Sequence, residues 1–500
     1  MSNRVALDER FHLNTRDSSF VMGLLIEGEG EPFYAKWIKK RKSKGKKATI
    51  EMLCVVGQFR LFIIKKKSSR KLEVMENLSI SYEIEQVQVA RVLEDTEVVI
   101  SSKSSKGSEK KGLEIELIDE SGPKDLIHAL VQAGRYTCHG FPHELPFELT
   151  TEPQIELPES LPPCPAGNFV PAYLAACDYL QIDPFPNIDL FVHEMTSGKV
   201  LDLDRLSCGG DTLHSCDLLP IFLALKYNNY FTGVKLSYIP PNAPGFPSIN
   251  LTAKLSVILS VNPTLDTVTW NGQNLRLKEV STLSNALIKN AHSPLKALDL
   301  SDNSVFVSKE KGEDALMGFI HLIRAFPDSV RVLRFRNIGM GKNEAGLFFQ
   351  TIQDKIFPRI TEFDIAKNPI GATGAAAFVK LLSSYSTQIP LEMLSLASCD
   401  IPVQKVAEVI EKLRKCATKL TSLDISGCLF DAVPQDVVDG ICKSLAAMKT
   451  ITTFKLNDCN APGPVVAKIL VAVCKGRKSP VTVEINGNCI GPSSFQEVAE

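Results

Sequence analysis

No stretch of eighteen uninterrupted apolar residues occurs in the 500-residue sequence, so no segment reads as a membrane-spanning helix. No apolar run follows the initiator either. The chain begins Met1-Ser2-Asn3-Arg4 and stays polar, which argues against a secretory signal or transit peptide. There is no Cys-x-x-Cys pair. The thirteen cysteines are spread along the chain and read as reduced, mostly buried small hydrophobes rather than a disulfide framework. Cys138, His139 and His143 have no second Cys or His group near them, so no metal site is expected. No Ser-His-Asp order or paired-carboxylate cleft stands out, and neither catalysis nor a cofactor is expected. An excess of charge of either sign is missing as well. With 56 Lys and Arg against 57 Asp and Glu the net charge is -1, a total that points to no polyanionic partner.

What the sequence does have is a repeat, which must be sought first because it sets the architecture. The pattern is apolar, two residues, apolar, one residue, apolar, two residues, then Asn or Cys. The best copy is Leu295-x-x-Leu298-x-Leu300-x-x-Asn303. Others run Ile360 to Asn368, Leu391 to Cys399, Leu420 to Cys428 and Ile451 to Cys459, with a last, shorter copy ending at Asn488. Weaker copies begin at Phe231, Leu265 and Val330. Positions four and six fall on one face of a short strand. At the ninth position Asn can bond the neighbouring loop's backbone from inside, and a buried Cys can take its place. Between strands, segments such as 315–323 and 406–413 carry apolar residues at helical spacing. Such repeats stack into a leucine-rich-repeat solenoid, because a single unit cannot bury its own apolar face. Gly371 and Gly374 follow a repeat strand and lack the Gly-Lys-Ser/Thr ending, so they belong to a turn and not to a phosphate loop.

Residues 16–137 differ. Apolar, β-rich runs at 48–56, 59–64, 87–92, 97–100 and 113–118 precede a helical stretch at 123–133. Many strands and one closing helix predict a pleckstrin-homology-like β-barrel. Its charge is concentrated: Lys36, Lys39, Lys40, Arg41, Lys42, Lys44, Lys46 and Lys47 are followed by Arg60, Lys65, Lys66, Lys67, Arg70 and Lys71. Only Glu51 opposes them between residues 36 and 71. We take Lys36 to Lys47 with Lys65, Lys66 and Lys67 as a candidate anionic-lipid surface, since each Lys or Arg near an anionic leaflet contributes about 1 kcal/mol. Aromatic stacking arrays and groove-reading helices are missing, so no nucleic-acid partner is expected. Residues 138–198 read as an acidic, proline-rich linker able to screen the basic patch, and 199–500 as the solenoid.

Assembled in this order, the features resemble the CARMIL family, linkers of actin capping protein, the Arp complex and myosin-I. The stretch from Asp217-Leu218-Leu219-Pro220 to Tyr230-Phe231-Thr232 looks like the family's first repeat. Tyr173 to Tyr179 and Gln58 to Ile64 are similar to family segments too. The resemblance implies an α/β chain: a horseshoe of ribonuclease-inhibitor type behind the barrel. It also implies a non-enzymatic scaffold in the cytoplasm and cytoskeleton, at the inner face of the plasma membrane, acting in actin organisation and cell migration. Implied partners are actin-regulatory proteins, anionic lipids and a second copy of the chain as a homodimer, with capping protein added where a C-terminal tail carries its binding motif. Family members have more repeats, a dimerisation segment and that tail. Their absence from the sequence leads us to expect the front part of a longer protein or a short divergent relative.

Two alternatives are a generic leucine-rich-repeat adaptor and a Ran-type GTPase-activating protein. The second usually has no basic barrel in front and carries an acidic tail behind. For a protein partner, residues beside the core positions of each strand face the inner surface of the solenoid. There Arg331, Arg334 and Arg336 form the densest positive spot and are the candidate anchors, Arg being favoured at interface hot spots.

Overall fold

The structure is a computed structural model, and it describes residues 11–25, 31–41, 49–68, 71–92, 95–102, 114–118, 123–138, 145–152, 154–159, 164–206, 213–243, 248–306, 312–430, 433–477 and 479–491. They form two compact units. One holds the described residues up to 197 together with 216–230; the other holds 198–206, 213–215 and 231–491.

The first unit is built on an eight-stranded mixed sheet. Its strands are β1 (Tyr34–Arg41), β2 (Thr49–Val56), β3 (Arg60–Ser68), β4 (Lys71–Ser79), β5 (Ile84–Val92), β6 (Asp95–Ser102), β7 (Glu114–Ile118) and β8 (Glu148–Thr151), in the order β4-β3-β2-β1-β7-β6-β5-β8. All ladders are antiparallel except β8, which lies parallel to β5. Among the described residues no ladder joins β4 to β5, so the pairing gives an open mixed sheet where a closed barrel was expected. The five runs read from the sequence lie in β2, β3, β5, β6 and β7. Strands β1, β4 and β8 escaped that reading: lysines fill β1, Glu73, Glu76 and Asn77 interrupt β4, and β8 falls in the stretch read as a linker.

The uninterrupted apolar run of β2 has a structural cause. Met52, Cys54 and Val56 point into the main core. Helix α2 (Lys124–Cys138) closes that core with Leu126, Ile127, Leu130 and Val131. Leu53 and Val55 point the other way, into a second cluster with Leu13 and Val21. Val21 comes from helix α1 (Thr15–Met22), which starts on an Asn14 side chain accepting from the backbone N–H of Arg16 and Asp17. A strand covered on both faces loses the usual polar alternation.

Three helices complete this unit: α3 (Pro165–Leu180), α4 (Ile188–Met195) and α5 (Leu219–Tyr227). Much of the stretch read as a linker is therefore regular structure. At the start of α3, Ala166, Gly167 and Asn168 all take left-handed backbone angles, with φ of 56°, 62° and 59°. Such residues persist only where their surroundings over-determine them. Here Asn168 donates to the Tyr136 carbonyl at 3.0 Å and Asn228 donates to the Ala166 carbonyl at 2.8 Å. A Cβ on Gly167 would stand 3.0 Å from the Tyr230 Cβ, so the turn needs glycine there.

The second unit is a solenoid. Ten parallel strands pair in chain order: β9 (Val200–Asp202), β10 (Gly233–Leu236), β11 (Thr267–Trp270), β12 (Ala297–Asp299), β13 (Val332–Arg334), β14 (Glu362–Asp364), β15 (Met393–Ser395), β16 (Ser422–Asp424), β17 (Thr453–Lys455) and β18 (Thr482–Glu484). Each of the nine repeat starts leads into one of β10 to β18, and β9 adds one strand upstream. Helices α6 (Leu251–Leu259), α7 (Leu277–Lys289), α8 (Gly312–Arg324), α9 (Lys342–Ile352), α10 (Gly371–Ser383), α11 (Val403–Cys416), α12 (Gln435–Ala447) and α13 (Gly463–Cys474) return the chain between strands. Leu298, Leu300, Phe363, Ile365, Leu394, Leu396, Leu423 and Ile425 are all buried. In the middle repeats the core becomes aromatic: Phe319, Phe335, Phe348, Phe363 and Phe378 are linked by ring contacts at 5.3–6.2 Å.

The ninth-position asparagines act as the repeat requires. Buried Asn368 accepts from the N–H groups of Ile338 and Met340 at 3.1 and 3.0 Å, and it donates to the Phe335 and Ile365 carbonyls at 2.7 and 2.8 Å. Asn303 does the same one repeat pair earlier, bonding Gln273, Trp270 and Leu300. Where Cys replaces Asn, only the donor half survives: the Cys399 thiol reaches the Ile365 carbonyl at 3.2 Å.

Candidate interaction surfaces

Strand register brings the two basic clusters together. Arg41 lies opposite Thr49 and Ser68 opposite Lys71, while Met52 pairs with Lys65 between them. The β1–β2 and β3–β4 connections therefore leave the sheet at the same end. Lys39, Lys40, Lys65, Lys66, Lys67 and Lys71 converge there from segments separated in sequence. Strand alternation then divides them between the faces. Lys36, Lys40 and Lys65 share the face of Tyr34, Ile38 and Met52, whereas Lys39 and Lys66 share that of Trp37. The Lys66 ammonium stands 6.0 Å from the Trp37 ring, at the outer limit of a cation–π contact. Lys65, Lys66, Lys67 and Lys71 are exposed. Two carboxylates temper the charge: Glu76 meets Lys40 at 3.5 Å and Glu73 meets Lys67 at 3.3 Å. Neither was singled out from sequence, although both stand on the strand paired with β3. Lys42, Lys44, Lys46, Lys47 and Arg70 lie outside the described residues, as do His139 and His143.

Arg60 belongs elsewhere. It starts β3, at the opposite end of the sheet from Lys65 to Lys67, and forms a largely buried ion pair with Asp178 of α3. Its guanidinium also donates to the Asp178 carbonyl and to the Asn77 side chain, each at 3.0 Å. Tyr82 and Tyr179 stack beside this pair, 5.0 Å between centroids. The one acidic residue of α3 that meets a cluster cation thus anchors a helix at the far end of the sheet, away from the lysine-rich end.

In the solenoid, one lateral row on the face of the sheet that no helix covers reads Asp299, Arg334, Asp364, Ser395, Asp424, Lys455 and Glu484. Asp299, Asp364 and Asp424 each accept from the backbone N–H two residues on, at 2.8–3.0 Å, which ends the strand in a tight turn. Arg334 lies between acids: its Nε donates to Glu362 at 2.6 Å, and Asp299 stands 3.7 Å away. The hydrogen bond it donates to Glu362 raises the guanidinium above its ordinary range. Burial raises the Asp364 carboxyl, and neighbouring Asp299 and Asp424 add to the effect against Arg336 and the Ala366 N–H. Arg331 turns back on its own loop, donating to the Asp328 and Val330 carbonyls at 2.7 and 2.8 Å. Arg331 and Arg334 are thus taken up by local carbonyls and by acids on neighbouring strands.

Burial pushes the Cys399 thiol up to about 12 and the Cys459 thiol up to about 11, as expected for structural rather than reactive cysteines. Among the described residues no cluster of three His, Cys, Asp or Glu side chains is placed to hold a metal ion. None of the described helices is long and apolar enough to cross a membrane.

A family model described as "Leucine Rich repeat" matches residues 360–379, the β14 strand and the start of α10. Among curated proteins, "Protein CARMIL" of Dictyostelium discoideum is 21% identical over 496 residues, covering 97% of this chain. The match covers 44% of that protein, so the chain spans less than half its length. Among solved structures, the leucine-rich-repeat-containing protein LegL7 from Legionella pneumophila is 17% identical, with a TM-score of 0.35, over 60% of this chain and 90% of that one. A chain of the yeast Rad7 and Elc1 complex is 12% identical, with a TM-score of 0.27, over 64% of this chain and 92% of its own.

Proposed function

Because this chain is a CARMIL-like leucine-rich-repeat protein, we propose that it is a non-enzymatic scaffold regulating actin filament assembly through protein contacts while resting on an anionic membrane surface. The observation that carries this reading is the extent of the match. Over 97% of the chain, likeness to one relative spans the basic sheet unit as well as the repeats. A generic repeat adaptor would account for the second part alone. The strand order β4-β3-β2-β1-β7-β6-β5, followed by the core-closing α2, supports reading the first unit as pleckstrin-homology-like. Its lysine-rich end is then the lipid-facing surface and Lys39, Lys40, Lys65, Lys66 and Lys67 its contact residues, with Lys36, opposite Cys54, farther down β1. The uncovered face of the solenoid sheet, with Arg334 and Arg336, is the partner surface. Cytoplasmic and cytoskeletal localisation, a homodimer and a link to capping protein belong to the same reading.

The test joins the two halves. Recombinant full chain is mixed with cytosol, with and without phosphatidylserine vesicles, and captured proteins are identified by mass spectrometry. Enrichment of actin-regulatory proteins, greater on vesicles, is the expected result. Capture of none of them would overturn the actin reading, and failure to sediment with vesicles would overturn the membrane reading.

A further inference from the structure

The end of the β3–β4 hairpin carries more than charge. Its sequence is Lys65-Lys66-Lys67-Ser68-Ser69-Arg70-Lys71, a hydroxyl amino acid preceded by three lysines and followed by two more cations. Ser68 is the last residue of β3; it is exposed and pairs in register with Lys71. The ladder is irregular just before it, with a register shift between Lys66 and Ser68. A hairpin end with an irregular ladder opens at low free energy, which a kinase needs in order to take the segment in extended form. By the register described above, the same end gathers Lys39 and Lys40.

We propose that Ser68 is a phosphorylation site for a serine/threonine kinase that selects basic residues before the acceptor, and that its modification switches off the lysine-rich end. The inference rests on the membrane reading and concerns its regulation. In the transfer, the Ser68 Oγ attacks the γ-phosphorus of ATP. The new Oγ–P bond forms as the bond from that phosphorus to the β,γ-bridging oxygen breaks. ADP leaves, and the hydroxyl proton passes to the kinase's base.

The product's effect follows from its position. Phosphoserine carries about -1.5 to -2 charges at neutral pH, with three strong acceptor oxygens. Placed on Ser68, it lies within one or two residues of Lys66 and Lys67 and directly opposite Lys71 across the hairpin. The Lys67–Glu73 pair nearby is about half exposed, 55% and 44%, so it holds Lys67 only weakly. The lysine is free to exchange Glu73 for the doubly charged phosphate. About two positive charges are thereby withdrawn from the surface and a repulsive group is added. At about 1 kcal/mol per basic residue near an anionic leaflet, that weakens vesicle binding about ten- to thirty-fold.

Two measurements decide the matter, both on the full chain. In the first, a basic-directed kinase and labelled ATP are incubated with the protein and the label is mapped. Label on Ser68, lost in Ser68→Ala and reduced in Lys66→Gln, Lys67→Gln, is expected; full labelling of Ser68→Ala would overturn the assignment. In the second, protein with phosphoserine incorporated at position 68 is compared with unmodified and Ser68→Ala protein. The assay is co-sedimentation with phosphatidylserine–phosphatidylcholine vesicles. Unmodified and Ser68→Ala protein should sediment alike and phosphoserine protein about ten-fold less or lower, with identical thermal melts. Equal sedimentation of all three would overturn the switch and leave the membrane reading standing. Failure of the unmodified protein to sediment would overturn both.

Discussion

Arg334 of β13 donates its Nε to Glu362 of β14 across one repeat interface, at 2.6 Å. Arg334 on this sheet face is thus held by an acid one strand away, so the face presents paired charge and not a basic patch. Exchanging the pair, as Arg334→Glu with Glu362→Arg, keeps the bridge and moves the charges. The exchange should change the melting temperature little, since a part-exposed pair is worth about 0–1 kcal/mol. If the face binds a partner, capture from cytosol should fall with both this exchange and Arg334→Glu, Arg336→Glu. Unchanged captured proteins in the two variants would move the binding site elsewhere.

Acid stability tests the same face. The Asp364 carboxyl is raised by burial, so its protonated form is favoured in the folded state. A raised group contributes stability below its unfolded value, and that contribution is lost as pH climbs through the folded one. Asp364→Asn removes the buried charge while keeping an acceptor for the Ala366 N–H. The variant should have a higher urea midpoint than wild type at neutral pH. The gap should close as pH falls toward the ordinary carboxylate value. A constant difference across that range would contradict the assignment.

Asn368, like Asn303, should be among the costliest polar residues of the solenoid to remove. Asn368→Ala leaves two buried N–H groups and at least two carbonyls short of partners, each worth about 1–3 kcal/mol, so a loss of about 3 kcal/mol or more is expected in urea unfolding. Cys399→Ala gives up only a weak thiol donor and a small volume, and should cost less. Equal costs would show that the asparagine network is not what joins the repeats.

In the apolar core, Leu423→Ala should lower stability by about 2–5 kcal/mol, as for other well-packed leucines. Leu423 has no exposed surface and stacks between Leu394 and Phe454 in the parallel register. Calorimetry or urea unfolding reads the loss directly.

For the sheet unit, converting Lys39, Lys40, Arg41 and Lys42 to Glu should abolish co-sedimentation with anionic vesicles. Wild-type binding should weaken with salt, because exposed charges are screened over about 8–10 Å near physiological ionic strength. Arg60→Gln is the informative control. Its partner Asp178 holds it at the far end of the sheet, so the variant should bind vesicles like wild type even if it melts earlier. Loss of binding by Arg60→Gln alone would move the lipid surface to that end.

The sequence by itself determined the solenoid. The apolar residues at positions four and six are buried by the same local geometry in every repeat from β10 to β17, so periodicity reports the core directly, and the Asn or Cys at position nine reports the turn. It also determined that the front of the chain is basic and β-rich, because charge and apolar runs are local properties. The strands it hid were β1 and β4, where polar side chains mask the pattern, and β8, which with the helices α3 and α4 lay inside a stretch whose prolines read as a linker. Only the tertiary structure decided which charges meet. Register carried the two lysine clusters to one end of the sheet, sent Arg60 to the other, and set Glu362 against Arg334. Ion pairs form between residues some 30 to 120 positions apart, and no spacing along the chain encodes such distances.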